Sequence, residues 1–350
     1  MTKPTVIIDP DWRRMDELFS PAAKAALFDI YNVVWGRDGP VPDGVLYDAL
    51  PDAEVLISAT PLIDAEVLGR ATRLKAIIEV SGAFPDTIDY AACAARGIEV
   101  LSCAPGFRQS VAEMGLAMAL AGARGLITEH EAFRSGGENW LSDNEATDFT
   151  LFGAKVGFVG FGQIAQELMR LMAPFAPRVV AYDPWLAPEV AQAHGITLVS
   201  LEDVLTQSRC LFVAAVPTAE NHHLLDAAKL ALMPRNALVI LISRAHLVDF
   251  DALASEVASG RLRAAVDVFP SEPLEADDPV RKLGNIILSP HRAAAVAGGR
   301  QLIGDMILDD LVALFGGNAS RRLGRAEASK IGALAGVGDA SKVAEMAKTR

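Results

Sequence analysis

Residues 155–185, KVGFVGFGQIAQELMRLMAPFAPRVVAYDPW, constrain what this chain can fold into more than any other stretch. A short apolar run through Val156, Phe158 and Val159 predicts a buried strand. Gly160, Gly162 and Ala165 follow in the pattern G-x-G-x-x-A, and Ile164, Leu168, Leu171 and Met172 then share one helical face. A second apolar strand, Val179 to Tyr182, ends at Asp183. Strand, glycine turn, helix, strand and acid form a dinucleotide-binding unit. Gly160 permits the tight turn, Gly162 lets a pyrophosphate approach the backbone, and Ala165 lets the helix lie close to the strand. Gln163 and Ile164 open the helix, where free N–H groups and the positive end of the dipole favour phosphate. Asp183 comes 18 residues after Ala165, close to the usual ~20. Its carboxylate can accept from both ribose hydroxyls and would repel a 2′-phosphate. Pro184 and Trp185 bring no cation to attract one, so NAD rather than NADP is expected.

At 350 residues the chain has the length of two domains. A net charge of −12 argues against general nucleic-acid binding, which wants a basic face. Cys93, Cys103 and Cys210 form no C-x-x-C pair and fit a reduced compartment. MTKPTVIID runs into a strand with no signal-peptide pattern, so a cytoplasmic location is expected. The apolar stretch 111–129 contains Glu113 and Arg124 and reads as a buried helix rather than a membrane span.

Apolar runs at residues 5–8, 54–58, 75–80 and 98–101, with helical patterns between them, predict a small parallel α/β domain. Ala104-Pro105-Gly106 breaks the pattern, and a long helix is expected from about Ser110. Residues 131–150 are polar and read as an irregular excursion. Further strands are expected at 211–216, 237–242, 264–268 and 286–288, and a last helix near 296–315. The tail, 320–350, carries seven basic and three acidic residues without an apolar period and reads as solvated or frayed. No His, Cys, Asp or Glu spacing suits a catalytic metal, and none is expected.

In parallel sheets, ligands bind beyond the carboxyl ends of the strands. Arg244, Glu272 and His291 each follow a different predicted strand there. Singly, each has an ordinary reading: a surface ion-pair partner, a solvated loop acid, a structural histidine. As a set they point to proton transfer beside an anion anchor.

With Gly153 to Ala165, Asp183, Ser243-Arg244, Asp267 to Leu274 and Ser289-Pro290-His291 in order, residues 5–316 resemble the D-isomer-specific 2-hydroxyacid dehydrogenase family. The resemblance implies an NAD-dependent oxidoreductase interconverting a D-2-hydroxy acid and its 2-oxo acid. It implies two Rossmann-like, doubly wound parallel-sheet domains, with the cofactor domain (104–293) inserted in the substrate domain (1–103 and 294–319). His291 would be the general acid and base, Glu272 its hydrogen-bonded support, and Arg244 the grip on the substrate carboxylate. Gly82, Ala83 and Phe84 would contact that carboxylate, through the N–H groups of Ala83 and Phe84. Pro217, Ser243, Asp267 and His291 would join Gly160 to Ala165 and Asp183 around the cofactor. Closure of the two lobes would exclude water. The implied partners are a small 2-hydroxy or 2-oxo acid and a second copy in a homodimer, joined through the cofactor domain and the 125–150 excursion. Neither nucleic acid nor membrane is expected.

Phe84 and Pro85 replace a glycine and its neighbour in the usual G-x-G turn, Cys103 stands near an expected Asn, and Arg292 follows His291 where an apolar residue is common. These departures leave open an NAD(H)-sensing interaction protein on the same scaffold. A formate dehydrogenase would use the same lobes, but it carries Gln where Glu272 stands.

Overall fold

The chain divides into two units, one built from residues up to Arg108 and from Ala295 onward, the other from Gln109–Ala294. A computed structural model describes residues 3–144 and 147–337.

The first unit holds the strands β1 (Thr5–Asp9), β2 (Asn32–Trp35), β3 (Val55–Ser58), β4 (Ala76–Glu79) and β5 (Glu99–Ser102). They run parallel in the order β5-β4-β3-β1-β2, and Gly324–Arg325 adds an antiparallel edge beside β5. Successive strand residues face opposite sides of a sheet. Val6, Ile8, Val55, Ile57, Ala76 and Ile78 accordingly pack with Met15, Leu27, Ile303 and Leu311. Ile7, Leu56, Ile77 and Val100 pack on the other side with Leu50, Val67, Leu68 and Cys93. Burial of both faces is why these strands read as unbroken apolar runs instead of alternating ones. β2 was not expected, because NVVW is short and its residues are exposed or half-buried on the sheet edge.

Among the described residues, the second unit has seven parallel strands: β6 (Lys155–Val159), β7 (Arg178–Tyr182), β8 (Thr197–Leu198), β9 (Cys210–Val213), β10 (Leu238–Leu241), β11 (Arg263–Val266) and β12 (Ile286–Leu288). Their order, β12-β11-β10-β9-β6-β7-β8, reverses direction between β6 and β9. That reversal opens the crevice in which such sheets bind ligands. Val159, Val213, Val239, Leu241 and Val266 form one face with Val204, Leu205, Leu253 and Val257. Phe158 on β6 stacks on Phe212 of β9, with ring centres 5.1 Å apart. The helix expected from about Ser110 spans Arg108–Ala123. Among the described residues, no single helix is long and apolar enough to cross a membrane.

Two expectations are corrected. The polar stretch from residue 131 begins in a helix, Leu126–Ser135, and becomes irregular only after it. Residues 145 and 146 lie outside the described residues. The tail is not frayed through residue 337. Leu323 is buried, Arg321 pairs with Glu99 at 2.8 Å, and Ile331–Leu334 is a short helix. The remainder of the tail, 338–350, lies outside the described residues. The anchor is Asp310, an acid inside the helix Gln301–Phe315 with 2% exposure. Its carboxylate accepts the N–H groups of Arg322 at 2.6 Å and Leu323 at 3.0 Å. Asp310→Ala would leave both amides without an acceptor, at a cost of roughly 1–3 kcal/mol. Urea unfolding should show that loss, and hydrogen exchange should show faster exchange across Gly324–Arg325.

Candidate active site

All the residues expected around the nucleotide lie at the carboxyl ends of the second unit's strands. β6 leads into Gly160, whose φ of +85° is open to glycine and strained for other residues. A Cβ there would also lie 2.3 Å from Cα of Ala215, beyond β9. Gly160 therefore closes the two strands at the sheet's reversal. Gly162 caps the helix Gln163–Met172, and a Cβ built on it would meet nothing within 4 Å. Nothing among the described residues demands a glycine there, so its value lies toward what approaches from outside. The N–H groups of Gln163, Ile164 and Ala165 belong to the helix's first turn, which lacks intrahelical acceptors, and Ala165 is fully buried against the sheet side.

Asp183 follows β7 and does more than sequence reasoning assigned to it. Its Oδ2 accepts the N–H of Phe161 at 2.8 Å, and its Oδ1 accepts that of Trp185 at 2.9 Å. Each oxygen retains a lone pair, enough for ribose hydroxyls. Pro217 is buried after β9. Ser243, after β10, is 8% exposed, and its Oγ has no hydrogen-bond partner among the described residues. A buried hydroxyl without a partner is costly, and together with the open face of Gly162 it fits a dinucleotide laid along these strand ends.

The set Arg244, Glu272 and His291 is brought together. His291 Nδ1 lies 2.6 Å from Glu272 Oε2. An ionised carboxylate only accepts, so Nδ1 is the donor and Nε2 is the nitrogen that Glu272 does not engage. Glu272 Oε1 accepts the N–H of Phe269 at 2.8 Å, which fixes the carboxylate plane. Burial pulls the Glu272 pKa upward. The hydrogen bond and charge of His291, the Phe269 N–H and the charge of Arg244 outweigh it and hold the carboxyl below its ordinary value. Arg244 is half-buried, and its Nη1 donates to the Ser243 carbonyl at 2.7 Å. Burial lowers its pKa while Glu272 opposes the shift; a guanidinium keeps its charge regardless.

Asp267, expected beside the cofactor, also supports the histidine turn. It is 1% exposed, and its carboxylate accepts the Ser289 hydroxyl at 2.5 Å and the N–H groups of Arg292 at 2.8 Å and Ala293 at 3.0 Å. The His291 N–H donates to the Asp267 carbonyl at 2.8 Å. His291 sits at a φ of +49°, and this clasp holds it there. Asp267 is thus first the support of the histidine turn, with only part of its accepting capacity left for a cofactor.

In the first unit, the loop after β4 departs from expectation. The N–H of Ala83, expected to bind substrate carboxylate, donates to Glu79 at 3.0 Å, as does that of Gly82 at 2.9 Å. Sequence reasoning passed over Glu79; the signal was an acid closing the apolar run KAIIEV. It also missed a ring cluster that includes His246, two residues past Arg244 in the chain. His222 and His223 stack with ring centres 3.8 Å apart, and His246 lies 4.8 Å from His222. Among the described residues, no group of three or more His, Cys, Asp or Glu is arranged to hold a metal.

Residues 116–293 match the model of the D-isomer specific 2-hydroxyacid dehydrogenase, NAD binding domain, and NAD is the cofactor of this domain. The chain is 34% identical to a D-3-phosphoglycerate dehydrogenase of Mycobacterium tuberculosis over 89% of its own length and 57% of that protein's. It therefore spans little more than half of that relative. It is 28% identical to a glyoxylate reductase of Korarchaeum cryptofilum, over 85% of this chain and 90% of the relative. A crystal structure of a phosphoglycerate oxidoreductase from Rhizobium etli superposes with a TM-score of 0.82 at 37% identity, covering 93% of this chain and 99% of that one. The family match runs through the very turn, helix and strand ends that carry the acid-paired histidine, and this chain belongs to the D-isomer specific 2-hydroxyacid dehydrogenase family.

Proposed function

We propose that the chain is an NAD-dependent oxidoreductase interconverting a D-2-hydroxy acid and its 2-oxo acid. The observation that carries the reading is the 2.6 Å contact between His291 Nδ1 and Glu272 Oε2. Bound nicotinamide supplies or accepts the hydride. His291 Nε2 gives a proton to the substrate oxygen in reduction and takes one in oxidation. Glu272 fixes the tautomer and orientation of the ring. Arg244 offers a planar fork of donors to the substrate carboxylate and to the oxygen on which charge develops. On the substrate loop, Gly82 and Phe84 are taken as contacts, with the Phe84 N–H as donor, since that of Ala83 serves Glu79. Glu272 also speaks against formate oxidation, which releases no proton to an acid-paired histidine.

The protein is read as a cytoplasmic homodimer acting on a small acid. Leu126, Ile127, Phe133 and Trp140 are exposed at 58, 43, 59 and 77% on the second unit and would be covered by a second copy.

NADH absorbance followed with glyoxylate, hydroxypyruvate and pyruvate should show turnover of at least one of them. His291→Ala should lower kcat by about 10²–10⁴-fold while NADH binding persists; undiminished turnover would remove His291 from its role. Glu272 gives a second expectation, through pH. A carboxyl whose pKa is lowered by folding contributes stability that is present above its unfolded value, about 4.3. That contribution is lost as pH falls through the lower folded value. Glu272→Gln should therefore unfold more easily than the parent at pH 7, and the two should converge in strong acid. A gap in thermal unfolding that stays constant with pH would contradict the assignment.

A further inference from the structure

Strand β4 delivers Glu79 to the carboxyl end of the first unit's sheet with no exposure to solvent. Its Oε2 accepts the N–H of Gly82 at 2.9 Å, the N–H of Ala83 at 3.0 Å and the hydroxyl of Ser102 at 3.1 Å. Its Oε1 accepts from the N–H of Ser81 and, at 3.1 Å, from Gly82 again. Three successive N–H groups turned on one anion form a backbone nest, the device with which proteins bind carboxylate and phosphate. Gly82 permits it with a φ of +99°. The loop's carbonyls are held from the opposite side by Arg13, 5% exposed, whose Nε donates to Val80 at 3.2 Å and Nη2 to Ser81 at 3.5 Å. Burial pushes the Glu79 carboxyl pKa up, and the N–H groups of Ser81, Gly82 and Ala83 oppose that shift by favouring the carboxylate that accepts from them, while Arg13 holds the carbonyls of the same loop. What the loop still presents is apolar: the half-buried Phe84 ring lies edge-on to Tyr90 at 6.4 Å. The Phe84 carbonyl already accepts from the N–H of Gly336 at 3.0 Å, and Tyr90 donates its hydroxyl proton to the Pro85 carbonyl at 2.8 Å.

We infer that Glu79 determines specificity by filling its own loop's anion nest, so that the enzyme takes 2-oxo acids whose remaining substituent is uncharged and rejects those bearing a second anion. Each N–H has one proton to give, and those of residues 81–83 are given to Glu79. A second anionic group brought to this loop would find few donors, and a like charge behind them. Glu79 acts through the loop it shapes and is a positioning residue. The statement about substrate rests on the proposed reaction; the statement about the nest does not.

The test compares hydroxypyruvate with its 3-phosphate ester in the NADH-dependent assay of the full chain. The parent should favour hydroxypyruvate by about tenfold or more in kcat/KM, the mark of a like-charge penalty. Glu79→Ala should lower KM for the ester by a similar factor with little change in kcat, and Glu79→Asp, which keeps the charge, should retain the parental preference. Glu79→Gln keeps volume without charge and should shift in the same direction as Glu79→Ala, which covers the case in which the smaller side chain fails to fold. A second readout needs no turnover: acetate should raise the melting temperature of Glu79→Ala and leave the parent and Glu79→Asp unchanged. The inference is overturned if the parent uses the ester as readily as hydroxypyruvate. It is overturned equally if the folded neutral variants show neither the KM shift nor, for Glu79→Ala, the acetate response. Absence of turnover with every 2-oxo acid would remove the proposed reaction instead, and the acetate response would still decide whether Glu79 fills an anion site.

Discussion

An imidazole offers one particular nitrogen to a neighbour only when something fixes its tautomer and stops its ring from turning. In this chain both tasks fall to the bond between Glu272 and His291. Everything nearby serves that bond. The Phe269 N–H sets the carboxylate plane. Asp267 gathers Ser289, Arg292 and Ala293 so that His291 can occupy a backbone conformation that L residues avoid. Arg244 adds positive charge, which keeps the carboxylate ionised. None of these groups would hold its geometry on a loose loop. Arg244 and Asp267 follow β10 and β11, whose residues are buried throughout, where packing leaves little freedom.

Much of this was legible in the amino-acid sequence, and the reason is physical. A strand buried on both faces must be apolar throughout, so β6, β9, β10 and β11 stand out as runs. A turn that must pass a phosphate leaves glycines at fixed spacing. Gly160 and Gly162 illustrate two separate demands: the first is refused a side chain by Ala215, the second has room for one inside the protein. The chain shows the same pattern for both, and only coordinates separate them.

What was not legible is mostly polar and buried. Glu79, Asp267 and Asp310 have almost no exposure, and each binds backbone N–H groups that are near in space. Nothing in their local sequence names those amides. Asp267 was recognised by its neighbours in the motif, and its clasp on the histidine turn was not. Asp310 lies inside an otherwise apolar helix and organises a tail whose own composition carries no apolar period. β2 escaped notice for the opposite reason: an edge strand needs few apolar residues, so its signal is weak.

The double duty of Asp183 bears on attempts to change the coenzyme. The carboxylate expected to discriminate against a phosphorylated ribose also ties the glycine turn through Phe161. A redesign that swaps this acid for a neutral or basic residue, to welcome NADP, also cuts the tether on that turn. Selectivity and scaffold are thus encoded in one side chain, and a successful exchange of preference has to supply a new acceptor for that amide along with a new partner for the extra phosphate.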